Sequence, residues 1–240
     1  MRTHRFFCEN PHNNRAVLDA AQSRHLGKVL RLPVGAAVEV FDGKGLMAEG
    51  IVERLDREQA VVHLLTQTRI PPKASGRVIL APSIAKGERF DWMIEKCTEL
   101  GTDHIAAVQY DRTVKLGKHT TLERAQKIAL AAAKQCGRLY LPTLTGPAVL
   151  KRTQDDLRTR YPAAQWLYGH PDGKPSAAFT NLQQRTDFVV CIGPEGGFSD
   201  AELAVFAAAN AQPVCINPNI LRVETAAVAF ASLFCLNLSS

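Results

Sequence analysis

From residue 77 onward, short apolar segments alternate with longer amphipathic ones, and only a few classes of fold have segments in that order. The segments "RVILAPS", "HIAAVQY", "QWLYG", "FVVCIG" and "PVCIN" have the length and composition of buried strands. Between them, "GERFDWMIEKCTELG", "TLERAQKIALAAAKQCG" and "SDAELAVFAAAN" have helical spacing, and "VETAAVAFASLFCLNL" reads as a closing helix. Strands that alternate with helices predict an α/β domain around a mostly parallel sheet.

The first 70 residues follow a different pattern. One helical segment, "AAQSRHLGKVLRL", precedes three closely spaced strand-like segments, "AAVEVFDG", "LMAEGIVERL" and "QAVVHLL". Tight turns between short strands favour a small antiparallel barrel or sheet. We therefore predict a β-rich domain over 1–70, a Pro-, Gly- and Ser-bearing linker over 71–76 and the α/β domain over 77–240.

Composition and charge limit the kind of protein. No apolar run is long enough to span a bilayer, and no apolar segment at the start suggests a secretory signal. The six cysteines lack C-x-x-C spacing, which favours reduced thiols in a cytoplasmic protein. The net charge of +6 is concentrated in residues 73–165. Either a polyanionic partner or a well-solvated surface explains that charge.

The stretch "CIGPEGGFSDAE" (191–202) joins a strand to a helix. Ser199 and Glu202 have the spacing of a capping box, so the helix should begin at Ser199. No Lys follows the glycines and G-x-G-x-x-G is absent, which argues against the two common phosphate-binding loops. Because Glu195 would repel a phosphate, the stretch is either a plain turn or a pocket for a cationic or neutral ligand.

A second strand-to-helix turn, "INPNILRVETAA" (216–227), carries Arg222, Glu224 and Thr225. A helix N-terminus alone would explain Glu224, whose charge favours the helix dipole. However, ligands of open α/β sheets bind beyond the carboxyl ends of the strands, where both turns are expected to lie. The presence of two such turns therefore favours a shared pocket.

The segments "HLGKVLRL", "VFDGKG", "EKCTELG", "KQCGR", "IGPEGGFS" and "ILRVETA" occur in this order. Together they resemble the RsmE family, uridine-N3 methyltransferases of small-subunit (16S) ribosomal RNA in the SPOUT superfamily. The resemblance spans nearly the whole chain and is weakest over 143–165. It implies a PUA-like β-barrel that helps to hold RNA, followed by an α/β domain whose C-terminal trefoil knot binds S-adenosylmethionine. It also implies a homodimer. No metal is expected, because the seven histidines show no H-E-x-x-H or other ligand spacing.

The resemblance assigns site residues by their motifs. For the cofactor it implies Gly169, Ile192, Gly193, Pro194, Gly196, Gly197, Ile216, Asn217, Ile220, Leu221, Arg222 and Thr225. For RNA we expect contacts from Lys28, Arg31, Gln135 and Arg138, although Gln135 and Arg138 would equally suit the end of a helix. For catalysis we expect Arg222 to stabilise charge on the base, with Glu195 and Glu224 as candidates for accepting the proton or positioning Arg222.

Two positions depart from the family pattern. Asn217 stands where the family usually has Gly, and Asn tolerates left-handed backbone geometry better than most residues. Lys134 stands where the family has Glu, so no role of that Glu transfers. Two other functions remain open: a non-catalytic RNA-binding or ribosome-assembly protein, and a SPOUT methyltransferase acting on another RNA position.

Overall fold

The computed structural model describes residues 3–56, 59–85, 87–113, 121–175 and 186–237. The chain forms two compact units. The first consists of Met1–Pro72 and Ala133–Leu141, and the second of Lys73–Ala132 and Pro142–Ser240. Each unit has a sheet of its own.

The first unit is built on a five-stranded sheet with the order β1-β3-β4-β5-β2. Its strands are β1 (His4–Phe7), β2 (Arg15–Leu18), β3 (Ala37–Phe41), β4 (Leu46–Leu55) and β5 (Ala60–Arg69). The predicted antiparallel pairing is confirmed for β3 with β4 and for β4 with β5, and β2, which was not predicted, pairs with β5 in the same sense. Strand β1, which the sequence did not predict, pairs with β3 in parallel, so the sheet is not antiparallel throughout.

The helical segment of this unit also differs from the prediction. Helix α1 (Ala20–Arg24) is capped by Asp19, whose Oδ1 accepts a 2.7 Å hydrogen bond from the amide of Gln22. A five-residue π-helix, His25–Val29, follows directly, and the amide of Leu30 bonds to the carbonyl of His25. The wider turn belongs to a segment whose Leu26 is fully buried in the core of the sheet. π-turns of this kind are rare and often accompany functional surfaces.

Residues 133–141 also belong to the first unit, which the sequence did not predict. The ammonium of Lys134 donates a 2.8 Å hydrogen bond to Gln22 Oε1 and lies 5.6 Å from the ring centroid of Phe6. Burial lowers the pKa of Lys134 from its usual value, an effect that nearby Asp19 partly offsets. The departure from the family pattern at Lys134 therefore has a local partner in this chain.

The second unit confirms the predicted α/β architecture. Its six strands are all paired in parallel, in the order β11-β9-β10-β6-β7-β8. They are β6 (Val78–Pro82), β7 (His104–Gln109), β8 (Thr143–Val149), β9 (Gln165–Pro175), β10 (Phe188–Ile192) and β11 (Gln212–Cys215). The helices are α2 (Glu88–Leu100), α3 (Leu122–Cys136), α4 (Leu150–Arg160), α5 (Asp200–Ala208) and α6 (Val223–Asn237).

Helices cover both faces of this sheet, which explains why the central strands are apolar throughout. Val78 and Leu80 point to a core shared with α2, α3 and α6, whereas Ile79 and Ala81 point to a core shared with α4 and α5. Strand β8 and helix α4 were not predicted from the sequence. The β8 segment "TLTGPAV" lacks the apolar run of a central strand, and it is half exposed in the structure. Within the described residues, no helix is long and apolar enough to cross a membrane.

Candidate functional site

The site lies at the carboxyl ends of β10 and β11, on either side of β9, which lies between them in the sheet. Because the three strands are parallel neighbours, the turns that follow β10 and β11 leave the same edge of the sheet, and β9 contributes Gly169, His170 and Pro171 from within the strand. Together they enclose a cavity of about 400 Å³. This size is typical of pockets that hold a small molecule or a cofactor.

The turn after β10 is held by the helix that follows it. Ser199 Oγ accepts a 3.2 Å hydrogen bond from the amide of Glu202, and Glu202 Oε2 accepts a 2.8 Å bond from the amide of Ser199. This confirms the predicted capping box. Glu202 is buried, and its Oε1 accepts a 2.9 Å bond from the amide of Asp111, in the turn after β7. One carboxylate thus joins two turns at the same sheet edge.

Gly193 lies against an aromatic cluster. A Cβ at this position would lie 2.9 Å from the ring of Phe198, closer than such contacts occur. Phe198 cannot easily yield, because it is buried and packs edge-on against Tyr110 and Phe206. The packing of Phe198 therefore requires Gly at position 193. Without a side chain, the backbone there can lie close to a ligand in the cavity.

Two buried protic groups beneath the site are not proton acceptors. Burial raises the pKa of the Tyr110 hydroxyl well above its usual value, and the hydroxyl donates a 2.8 Å hydrogen bond to the carbonyl of Ala81. Burial likewise raises the pKa of the Cys191 thiol to about 12. Both groups are neutral at physiological pH, so neither is a candidate for accepting the proton.

The turn after β11 closes the cavity from the other side. Asn217 does not adopt a left-handed backbone; its Oδ1 instead accepts a 2.8 Å hydrogen bond from the amide of Asn219. The thiol of Cys215 donates a 3.2 Å bond to the Asn217 carbonyl. The turn is thus stabilised by side chains, where the family pattern suggests the conformational freedom of Gly.

The structure brings together most residues predicted to hold the cofactor. The cavity is lined by Gly169, Ile192, Gly193, Pro194, Gly196, Gly197, Ile216, Asn217, Ile220 and Leu221. Glu195, a candidate for catalysis, also lines it and is exposed. Arg222 and Thr225 are exposed beyond the lining.

Glu224 differs from the other predicted catalytic residues because it is buried and does not line the cavity. Its Oε1 lies 3.7 Å from Nη1 of Arg89, and the same nitrogen lies 4.0 Å from Oε1 of Glu195. One guanidinium thus connects two carboxylates from the two predicted turns. The sequence did not single out Arg89.

The residues predicted to contact RNA lie in the first unit. Lys28 is exposed on the π-helix, and Arg31 is exposed with a left-handed backbone, φ 52°. Gln135 is exposed on the last turn of α3. Arg138 is half-buried, and its Nε donates a hydrogen bond to the carbonyl of Tyr140.

Sequence reasoning missed two arginines beside the cavity. Arg112 lines the cavity and donates a hydrogen bond to the Gly196 carbonyl. Arg89 follows β6 at the start of α2. Both come shortly after predicted strands, so the rule that ligands bind beyond carboxyl strand ends could have identified them. Among the residues that the structure describes, no cluster of His, Cys, Asp or Glu could hold a metal ion.

Comparisons with known proteins agree with this geometry. Residues 72–235 match the model of the RNA methyltransferase domain, and residues 18–65 match the RNA methyltransferase PUA domain. A Synechocystis protein named ribosomal RNA small subunit methyltransferase E is 30% identical, covering 87% of this chain and 69% of the relative. A protein of the same name from Mycobacterium bovis is 28% identical, covering 88% and 82%.

Solved structures with the same architecture cover both units. A Legionella pneumophila protein described as a methyltransferase in complex with S-adenosylmethionine superposes with a TM-score of 0.84 at 28% identity, covering 98% of this chain and 97% of that chain. A ribosomal RNA small subunit methyltransferase E from Neisseria gonorrhoeae, bound to S-adenosylmethionine, superposes with a TM-score of 0.81 at 26% identity, covering 96% of each.

Proposed function

Because the chain belongs to the family of ribosomal RNA small subunit methyltransferases E, we propose that it methylates N3 of a specific uridine in small-subunit (16S) ribosomal RNA, with S-adenosylmethionine as the methyl donor. The observation that carries this proposal is the cavity of about 400 Å³ formed by β9 and the turns after β10 and β11. Ten of the residues that the resemblance assigns to the cofactor line that cavity, which supports the assignment.

The residues of the cavity fit this cofactor. A Cβ at Gly193 would lie 2.9 Å from the Phe198 ring, and one at Gly169 would lie 3.2 Å from the Phe230 ring. Both positions therefore present bare backbone to the ligand. Ile192, Ile216 and Leu221 supply apolar walls for an adenosyl group. The charge of Glu195 is compatible with a sulfonium and would oppose a phosphate. When bound, S-adenosylmethionine supplies an activated methyl group on sulfur.

The chain's own residues must then prepare the uridine. N3 carries a proton at neutral pH, and its removal leaves charge shared between N3 and the two flanking carbonyl oxygens. We propose that Glu195, at the cavity, accepts this proton and that Arg222 stabilises the charge as a fixed cation. Among the described residues no carboxylate pairs with Arg222, so its guanidinium is available to the base. Alignment of the base with the methyl group supplies much of the acceleration.

RNA binding is the proposed task of the first unit, through Lys28 and Arg31 on and after the π-helix and Gln135 and Arg138 at the end of α3. Phosphate contacts of this kind would position the RNA without reading its sequence. The basic stretch 73–165 supports a polyanionic substrate. A homodimer, the trefoil knot, a cytoplasmic location and a cofactor contact by Thr225 complete the proposal.

Primer extension on small-subunit RNA tests the proposal. An N3-methyl group blocks Watson–Crick pairing and stops the polymerase, so RNA from a strain lacking the protein should lose a single stop. Re-expression of the wild-type chain should restore it. If every stop persists in the deletion strain, the protein does not make this modification, and a different RNA position becomes the better hypothesis.

Calorimetry with S-adenosylmethionine separates the enzyme from a non-catalytic RNA-binding protein. The enzyme should release or take up measurable heat with saturation at one site per chain. Absence of any heat would favour a ribosome-assembly protein whose second unit no longer binds the cofactor.

A further inference from the structure

Arg89 lies between two carboxylates that come from different turns of the site. Its Nη1 is 4.0 Å from Oε1 of Glu195, which lines the cavity, and 3.7 Å from Oε1 of Glu224, which does not. The side chain of Glu224 is 8% exposed, that of Arg89 42% and that of Glu195 53%. The guanidinium therefore connects a buried anion to an exposed one at the cavity.

The position of Arg89 opposes the helix dipole. It is the second residue of α2, where the unpaired amides carry partial positive charge and a cation is disfavoured. The other charged residues of that first turn, Glu88 and Asp91, have the favourable sign. Glu224, in the first turn of α6, has it too. A cation at the start of α2 therefore needs compensation, and the two glutamates provide it.

The distances show that neither glutamate holds Arg89 fully. Both exceed the range of about 2.7–3.2 Å for a hydrogen bond from nitrogen to oxygen. Oε2 of Glu224 is buried and has no hydrogen-bond partner among the described residues. A buried carboxylate with an unpartnered oxygen is costly to stability unless a cation lies nearby. In the described part of the chain, Arg89 is the cation paired with Glu224.

The other arginines near the cavity do not replace Arg89. Arg112 donates its hydrogen bond to the Gly196 carbonyl. Arg222 is exposed, and no carboxylate among the described residues pairs with it. The connection between the "GPEGG" turn and the "RVETA" turn therefore passes through the side chain of Arg89.

We propose that Arg89 is a positioning residue, which uses its attachment to the buried Glu224 to hold the Glu195 carboxylate at the cavity. This rests on the proposed role of Glu195 as the proton acceptor. Glu195 lies in a glycine-rich turn and is more than half exposed, so its side chain has little else to fix its direction. Glu224 then acts as an anchor for Arg89 and has no contact with the base.

A double-mutant cycle tests this with purified protein and small-subunit RNA, measuring kcat, KM for RNA and cofactor affinity. We expect Arg89→Gln to lower kcat about tenfold, with KM and cofactor affinity within about twofold, since misplacement of one group costs rate more than binding. Arg89→Lys should recover most of the rate. In the Glu195→Gln background, Arg89→Gln should cost no more than about twofold, because coupled residues are non-additive.

Lys96→Gln is the matched control. Lys96 lies two turns further along α2 and also pairs with two glutamates, at 2.6 Å from Glu95 and 3.0 Å from Glu99. Its removal should leave all three parameters unchanged. Equal losses from Arg89→Gln in both backgrounds, or wild-type kcat in the single variant, would overturn the proposal. Should Arg89→Gln fail to fold, Arg89→Met keeps the aliphatic stem and completes the cycle.

A crystal structure of the Arg89→Gln variant separates this inference from the proposed function. We expect the Glu195 carboxylate to leave the position that it has in the wild type. If the carboxylate keeps its position without Arg89, the inference fails whatever the activity. If the wild type transfers no methyl group to RNA while the carboxylate still moves in the variant, the proposed function fails and the positioning contact stands.

Discussion

Arg112 donates a 2.7 Å hydrogen bond from Nη1 to the carbonyl oxygen of Gly196. The two residues follow β7 and β10, which are separated in the sheet by β6. The bond therefore spans one strand and fixes the glycine-rich turn from outside its own segment. The aliphatic part of Arg112 also lies close to Gly196, since a Cβ there would be 3.5 Å from the Cβ and Cδ of Arg112.

We predict that Arg112→Gln weakens S-adenosylmethionine binding about fivefold. A hydrogen bond from a charged donor contributes about 1.5 kcal/mol, reduced here by exposure to solvent. Isothermal titration calorimetry measures the change. Arg158→Gln is the control, because Arg158 also donates to a backbone carbonyl, that of Ala209, but at a position away from the cavity lining. Equal affinities for wild type and Arg112→Gln would show that the bond does not support the turn.

Two glycines of the same turn should respond differently to alanine. At Gly193 the new Cβ would meet the Phe198 ring at 2.9 Å, whereas at Gly197 nothing lies within 4 Å but φ is +71°. Gly193→Ala should displace the turn and weaken cofactor binding about tenfold or more, with about 1–3 kcal/mol lost from stability through overpacking. Gly197→Ala should cost about 1 kcal/mol of backbone strain and affect binding less. Calorimetry measures the cofactor affinity of both variants, and denaturant titration measures their stability. Weaker cofactor binding by Gly197→Ala than by Gly193→Ala would contradict this account.

The strand-end turns were predictable because their signals are local. The apolar run, the glycines and the S-x-x-E spacing lie within residues 191–202, and the capping box follows from them. Arg89 and Arg112 follow predicted strands, but neither belongs to a motif of this kind. What makes them part of the site is the strand order β10-β6-β7, which brings distant segments to one sheet edge. Strand order depends on packing over the whole chain and is not contained in a single motif.

Two fold features were missed for related reasons. The π-helix His25–Val29 has ordinary helical spacing, and its extra residue per turn is visible only in the bond from Leu30 to His25. Strand β8 lies at the sheet edge, where only one neighbour pairs with it. Its burial is partial, so it shows neither an apolar run nor clean alternation. Tertiary context decides both features.

Arg222→Ala should abolish methylation while leaving folding and cofactor affinity nearly intact. Arg222 is exposed and outside the cavity lining, so its removal leaves no buried charge and no void. Loss of one preorganised charge-stabilising group typically costs about 100-fold or more in kcat. Methyl transfer to small-subunit RNA, together with calorimetry and a thermal melt, measures all three properties. Wild-type turnover in this variant would remove Arg222 from the mechanism.

His104 should make the second unit less stable in mild acid. Its ring is fully buried between Tyr161 and Thr145, and burial lowers its pKa from 6.5 to about 4. Between about pH 6.5 and about pH 4 the unfolded chain therefore binds a proton at His104 and the folded chain does not. The free energy of unfolding falls as the pH drops through this range. Between about pH 7 and pH 5 the loss should be about 2 kcal/mol.

Denaturant titration at these two pH values measures that loss. The variant His104→Gln removes the titrating group, so it should be less stable at neutral pH but lose less stability on acidification. If the wild type and His104→Gln lose the same free energy between the two pH values, His104 does not control the acid response.

Cysteine labelling should report cofactor binding without any assay of activity. Cys136 is exposed and Cys215 is half-buried at the cavity, whereas Cys8, Cys97, Cys191 and Cys235 are buried. A maleimide should therefore modify Cys136 and Cys215, and burial, which raises the pKa of Cys191 to about 12, should keep that thiol inert. Saturating S-adenosylmethionine should slow labelling of Cys215 about tenfold, as expected when at least nine-tenths of the sites are filled.

Cys136 is the internal control and should be labelled at the same rate with and without the cofactor. Mass spectrometry of the digested protein resolves the two sites. Equal protection of both would indicate a general change in stability, and unchanged labelling of Cys215 would place the cofactor elsewhere than in the cavity formed by β9 and the turns after β10 and β11.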